Sequence, residues 1–236
     1  MVDTIIFDSE GIVIDTESIW DKSQEEFLKR RGCTYNREKI KPLLTGRTVA
    51  EGVEVLKHEY GFTGDTDQLA KERTDIVRDL FSHEVNYIDG FLEFYNSVVS
   101  QGYKTCIATA MDKELVDLID QRLGLKELFH GQIYTPTDVE NKSKPNPDLF
   151  LYAAKKLGSL PKQCLVIEDS PLGISAAINA KMRCIAITTT YPRSLLTEAD
   201  VIVNSYSEIE LYDIEMQTRR GYAQKNTHFY KKQHNG

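Results

Sequence analysis

Nothing in the 236-residue sequence approaches the ~20 consecutive apolar residues of a membrane-crossing helix, so no span is expected. Cysteine is scarce: Cys33, Cys106, Cys164 and Cys184 are scattered, with no CxxC and no Cys/His pairing at zinc spacing. Neither a disulfide framework nor a structural zinc site is supported. Three of the four lie in apolar, strand-like runs, where a thiol packs as a small hydrophobe. Positive charge is also short. A net charge of −7 disfavours nucleic acid, which demands a basic surface. The opening MVDTIIFDSE has no basic leader and turns acidic at once, which reads against a secretory signal. A reducing cytoplasm is the expected compartment. Repeats and low-complexity tracts are absent as well.

What is present is ordinary globular material, 41% hydrophobic and 28% charged, enough for one generous domain or two modest ones. Continuous apolar runs at 4–8, 104–110, 163–170 and 183–189, with a fifth at 199–205, read as parallel strands covered on both faces. Helical patterns lie between them. PDLFLYAAKKLG (147–158) opens with Pro and closes with Gly, and PLGISAAINAKM (171–182) follows directly on a strand. Alternation of this kind predicts a doubly wound, Rossmann-like α/β sheet. One stretch interrupts it. From Thr16 to about Glu84 the pattern is helical only, and its insertion after the first strand predicts a helical cap over the strand ends. The expected organisation is an α/β core of residues 1–15 and 85–216 and a cap of 16–84. Residues 217–236 carry Arg219, Arg220, Lys225, Lys231 and Lys232 without an acid, and are expected to form a basic, mobile tail.

Each strand end carries a different polar residue. The first run delivers Asp8, with Glu10 two residues on; the second ends at Thr109. Lys144 opens SKPNPDLF, where two prolines pin the loop, and the third run issues into Glu168 and Asp169. In doubly wound sheets ligands bind at this edge. Carboxylates gathered there repel one another unless a cation neutralises them. The donors are all oxygen, so the cation is a hard one, Mg²⁺ by preference. A hydroxyl and an ammonium beside it suit an anion with several oxygens, of which phosphate is the obvious candidate. Singly, none of these residues is informative; a loop lysine such as Lys144 is normally a solvated charge.

FDSEGIVIDTE, IATA, SKPNPDLF and VIEDSPLGISAAINAKM together resemble the four motifs of the haloacid dehalogenase superfamily of phosphotransferases. The match is nearest the β-phosphoglucomutase-like branch, and it covers residues 1 to about 210. The resemblance implies an Mg²⁺-dependent phosphatase acting on a small phosphomonoester such as a sugar phosphate. By resemblance, Asp8 attacks phosphorus, giving an aspartyl-phosphate. Glu10 protonates the leaving oxygen and then deprotonates water. Mg²⁺ would be held by Asp8, the main-chain carbonyl of Glu10 and Asp169, with Glu168 supporting through water. Thr109, with Ala110 beside it, and Lys144 would bind the phosphoryl oxygens. A monomer acting on a free phosphorylated metabolite, with no nucleic acid or membrane partner, is expected.

The chain also departs from the family pattern. Glu10 stands where the family has Asp, and the extra methylene moves the acid by roughly one bond length, ~1.5 Å. Misplacement on the order of 1 Å can cost about a hundredfold in rate. Lys181 replaces a usual Gly at a helix end. Trp20 occupies the cap position of a mutase histidine, which favours hydrolysis over mutase chemistry; packing within the cap explains it equally well. Arg47, in the TGRT loop, and Arg73 are further cap residues that would face substrate or else solvent. The alternatives are a phosphomutase, or a phosphometabolite-binding protein whose catalysis Glu10 impairs. A metal-free dehalogenase is opposed by the Glu168–Asp169 pair. A receiver domain is opposed by an insertion of about 70 residues where connections are normally short.

Overall fold

The computed structural model describes residues 1–44 and 49–209. Within them six strands, β1 (Thr4–Phe7), β2 (Lys104–Ala108), β3 (Ile133–Tyr134), β4 (Cys164–Glu168), β5 (Arg183–Ile187) and β6 (Val201–Val203), form a parallel sheet in the order β3-β2-β1-β4-β5-β6. The expected runs fall on β1, β2, β4, β5 and β6. β3 escapes the sequence pattern because two residues carry no periodicity. The tail expected at 217–236 and the TGRT loop lie outside the described residues.

The helices in chain order are α1 (Glu17–Lys29), α2 (Arg37–Leu44), α3 (Val49–Tyr60), α4 (Thr66–His83), α5 (Phe91–Ser100), α6 (Lys113–Leu123), α7 (Leu125–Leu128), α8 (Asp148–Lys156) and α9 (Pro171–Asn179). Strand side chains point alternately to the two faces. Ile5, Phe7, Ile107 and Ile167 enter one core with Phe91, Val98 and Ile119 of α5 and α6. Ile6, Cys106, Val166 and Cys184 enter the other, against Phe150 and Ala154 of α8 and Ile174 and Ala177 of α9. Covering on both faces is why these strands are apolar throughout rather than alternating. Phe7, the last residue of β1, is fully buried among Phe91, Phe94, Tyr95 and Phe129, with ring centroids 5.7–6.3 Å away. Its truncation to Ala would cost about 3–5 kcal/mol. That anchor fixes the end of β1, and with it the next residue, Asp8.

Residues 16–84 contain α1–α4 and no strand among the described positions. They build their own apolar centre from Phe27, Leu28, Ile40, Val53, Leu56 and Ile76. On α4 the residues Ile76, Val77, Leu80 and Phe81 form a stripe at helical spacing, and Asp65 caps the helix by accepting from the Gln68 amide at 2.9 Å. α2 has the weakest helical signal of the four, since Pro42 is a breaker and only Ile40 is buried. The chain crosses between α1–α4 and the sheet twice, and the crossings pair: Asp15 N donates to Asn86 O and Ile88 N to Val13 O, both at 3.0 Å. No helix among the described residues is long and apolar enough to cross a membrane. Cys106, Cys164 and Cys184 are buried, unpaired core residues.

Candidate active site

Because every strand runs the same way, their carboxyl ends share one edge. At the tip of β1, Asp8 N donates to Ile167 O at 2.9 Å, so the ladder extends one residue and holds Asp8 in register beside β4. The chain then turns tightly. Ser9 O accepts from the amides of Ile12, Val13 and Ile14. Gly11 sits at φ +71°, and a Cβ there would lie 2.0 Å from Asp169 Oδ2. Only glycine fits on both counts.

Asp8, Glu168 and Asp169 are all buried, and one carboxylate oxygen from each lies within 4.8 Å of the others. Lys144, with a side chain 8% exposed, reaches in between. Its ammonium donates to Asp8 Oδ1 and, at 2.7 Å, to Glu168 Oε1. The other Glu168 oxygen accepts from the amides of Asp169 and Ser170 and from the Ser170 hydroxyl, each at 2.9 Å. Glu168 is thereby saturated, a bracket for Lys144. Ser170 also caps α9, its hydroxyl accepting from Gly173 N at 3.1 Å. A Cβ at Gly173 would lie 1.6 Å from Glu168 Oε1, so this glycine makes room for the bracket.

The electrostatics follow from one ammonium among several acids. Burial pushes the Asp8 carboxyl up to about 7, Lys144 pulls it back and Glu168 adds to the rise. Asp169 is raised well above the usual carboxylate range by burial, then by Glu168 and Asp8, against a hydrogen bond with Thr190. Burial draws the Lys144 ammonium down, but Asp8 and Glu168 outweigh it and leave it raised. The cluster is short of positive charge. All its donors are carboxylate oxygens, and Asp169, unlike Glu168, is not saturated by donors. Those are the properties of a hard-cation site, and a divalent ion fits it.

Glu10 is half-buried on the far side of the turn. Burial raises its carboxyl, while Lys144 and hydrogen bonding with Trp20 and Thr16 draw it down. Thr16 is the N-cap residue of α1 but makes no side-chain cap bond, so its hydroxyl is not claimed by the helix. Asp8, Glu10, Trp20, Ala110, Lys144 and Asp169 line one cavity of ≈ 270 Å³. Thr109 is buried at the end of β2, its amide donating to Tyr134 O at 3.0 Å and its hydroxyl accepting from Met111 N at 3.1 Å. Arg73 is not among the lining residues. It is buried between α3 and α4, against Gly52, where Nη1 donates to Val49 O at 3.3 Å and Nε has no partner among the described residues. Arg47 lies outside the described residues. Reading the sequence missed Thr16, Ser170, Thr190 and the two glycines. Ser-Pro at 170–171 is a legible cap signal, but nothing in TTT (188–190) singles out Thr190.

Comparison with known proteins shows the family. Residues 5–187 match the family model of haloacid dehalogenase-like hydrolases. A crystal structure of a hydrolase of that family from Deinococcus radiodurans R1, with bound phosphate and sodium, superposes with a TM-score of 0.77 at 26% identity. It covers 88% of this chain and 93% of that one. The (DL)-glycerol-3-phosphatase 1, mitochondrial, of Arabidopsis thaliana is 29% identical over 208 residues, 85% of this chain and 69% of that one. The chloroplastic protein SUPPRESSOR OF QUENCHING 1 of the same plant is 31% identical over 220 residues; the match takes in 90% of this chain and 20% of that protein. The chain belongs to the haloacid dehalogenase-like hydrolases. It is a hydrolytic enzyme.

Proposed function

We propose that this hydrolase is an Mg²⁺-dependent phosphatase that removes the phosphoryl group from a small phosphomonoester through an aspartyl-phosphate. The observation that carries this is the placing of Asp8, at the rigid end of β1, within one oxygen cluster with Asp169 and the Lys144 ammonium. Asp8, Asp169 and the Glu10 carbonyl would hold Mg²⁺, with Glu168 supporting; the ion supplies charge neutralisation for the phosphoryl oxygens. An Asp8 oxygen attacks phosphorus as the bond to the leaving oxygen breaks. Lys144 and the Thr109–Ala110 turn bind the non-bridging oxygens, where charge develops. Glu10 gives its proton to the leaving oxygen and then takes one from the water that hydrolyses the intermediate, returning both carboxylates to their starting states.

In this reading residues 16–84 are the cap and 1–15 with 85–216 the core, the paired crossings at 13–15 and 86–88 forming the hinge. Glycerol 3-phosphate, the substrate class named for the plant relative, sets the scale of substrate we envisage. We place the protein in the cytoplasm as a monomer; its four scattered cysteines, without a pairing pattern, suit a reducing compartment. A panel of phosphorylated metabolites, assayed with Mg²⁺ and with chelator, tests the proposal. Release of phosphate with Mg²⁺ and its loss with chelator are expected. Hydrolysis unaffected by chelator would overturn the metal assignment, and no hydrolysis of any member would overturn the phosphatase.

A further inference from the structure

Resting on the metal reading above, we infer that Thr190, in the loop leaving β5, is a positioning residue whose hydroxyl fixes the Asp169 carboxylate in the orientation from which it would hold Mg²⁺. The other acids of the cluster each have a clear hold. Asp8 takes the Lys144 ammonium, and Glu168 takes that ammonium, two amides and the Ser170 hydroxyl. The Asp169 carboxylate receives none of these, although its own amide is tied to Glu168. What faces it is Thr190. A Cβ on Gly11 would lie 2.0 Å from Asp169 Oδ2 and 2.5 Å from Thr190 Oγ1, so both oxygens crowd the bare Cα of that glycine. The two residues also line the cavity of Asp8 and Glu10. Burial, Glu168 and Asp8 raise the Asp169 carboxyl, and hydrogen bonding with Thr190 opposes them, as a donor to the charged form does.

The neighbours of Thr190 sharpen the assignment, because the run TTT (188–190) divides into three different settings. Thr188 prolongs β5: its amide donates to Val203 O at 3.0 Å and its hydroxyl to Asn204 Oδ1 at 3.2 Å. The Thr189 hydroxyl is buried without a partner among the described residues, and Thr189 lines a separate cavity with Asp15 and Asn204. Thr190 alone of the three lines the cavity of the acids. The loop is anchored just beyond it, where Tyr191 packs against the core shared by α8 and α9. A ligating carboxylate depends on the group that orients it, and removing such a group typically costs 10–100-fold in metal affinity. Asp169 comes from β4, Gly11 from the turn after β1 and Thr190 from the loop after β5, so the contact ties three strand ends together at the metal site.

The test is Mg²⁺ binding by calorimetry at mildly alkaline pH, on the full chain freed of metal with chelator and on Thr190→Val, Thr190→Ala, Thr190→Ser and Thr189→Val. Thr190→Val and Thr190→Ala are expected to weaken Mg²⁺ binding by about 10–100-fold. Alanine repeats the loss of the hydroxyl without placing a methyl beside the carboxylate, and it carries the test should the valine protein not fold. Thr190→Ser keeps the hydroxyl and is expected to retain most of the affinity. Thr189→Val, altered one residue away, is expected to bind Mg²⁺ like the parent. In a phosphatase assay, the Mg²⁺ concentration giving half the maximal rate is expected to rise by the same factor in Thr190→Ala, with kcat at saturating Mg²⁺ close to the parent's. Unchanged affinity in Thr190→Val and Thr190→Ala, or an equal loss in Thr190→Ser or Thr189→Val, would overturn the role of Thr190. Absence of Mg²⁺ binding by the parent would instead overturn the metal reading, and the role of Thr190 with it.

Discussion

Glu10 concentrates the question of how far one methylene can shift an acid. Were it merely an overlong aspartate, shortening it would speed the enzyme. The structure argues otherwise, because Glu10, Trp20 and Thr16 line one cavity and the Thr16 hydroxyl is not used to cap α1. Glu10→Asp is therefore expected to lower kcat about tenfold or more, the scale that sub-ångström misplacement commands. A steady-state assay on a poor leaving group reads this, and a rise in kcat would contradict it. Glu10→Gln is expected to separate the half-reactions. With an aryl phosphate, whose leaving group needs little protonation, the first turnover survives and hydrolysis slows by about 10²–10⁴, seen as a burst followed by a stall. Proton linkage adds a second expectation. The raised Asp8 and Asp169 carboxyls bind more protons folded than unfolded. Without metal, the Asp8 contribution to stability is full below the ordinary carboxylate pKa and falls as the pH rises through about 7, and Asp169 acts in the same direction. Thermal unfolding in chelator is thus expected to show this loss between about pH 4 and 7. Mg²⁺ should raise Tm most at the alkaline end. A uniform Mg²⁺ effect across that range would contradict the linkage.

The elements show what can be read along a chain and what cannot. β1, β2, β4 and β5 are legible because burial on both faces leaves an unbroken apolar run, and their polar endings at Asp8, Thr109 and Glu168 are legible for the same reason. β3 and α2 are not, one being two residues long and the other containing Pro42. The Glu168 bracket could not be seen either. It depends on how close the start of α9 comes to β4, a distance that only the fold sets. Arg73 shows the converse failure, since a basic residue in a charged helix reads as exposed, whereas here it is covered by Gly52. Lys181 is a case where the departure from family pattern has a structural cost. α9 ends with Met182 N donating to Ala177 O and Lys181 N to Ile178 O, and Lys181 takes φ +57° in the position that favours glycine. Lys181→Gly is expected to stabilise the protein by up to about 1 kcal/mol. Denaturant unfolding should show a higher midpoint with an unchanged slope; an unchanged or lower midpoint would contradict the strain.

At the scale of the molecule, the sheet edge assembles residues that are 136 positions apart, as Asp8 and Lys144 are, into one charged cluster. The α1–α4 unit brings Trp20 to the same cavity, so residues from distant parts of the chain share it. Asp8 is central to all of it, and the most direct measurement asks whether phosphate becomes bonded to that residue. The enzyme is mixed with Mg²⁺ and a turning-over substrate, quenched in acid, treated with borohydride and digested for mass spectrometry. Reduction of an aspartyl-phosphate would convert residue 8 to homoserine. The account predicts that conversion at Asp8, enhanced in Glu10→Gln and lost in Asp8→Asn together with turnover. Continued hydrolysis with no conversion at Asp8, or conversion at another carboxylate, would contradict it.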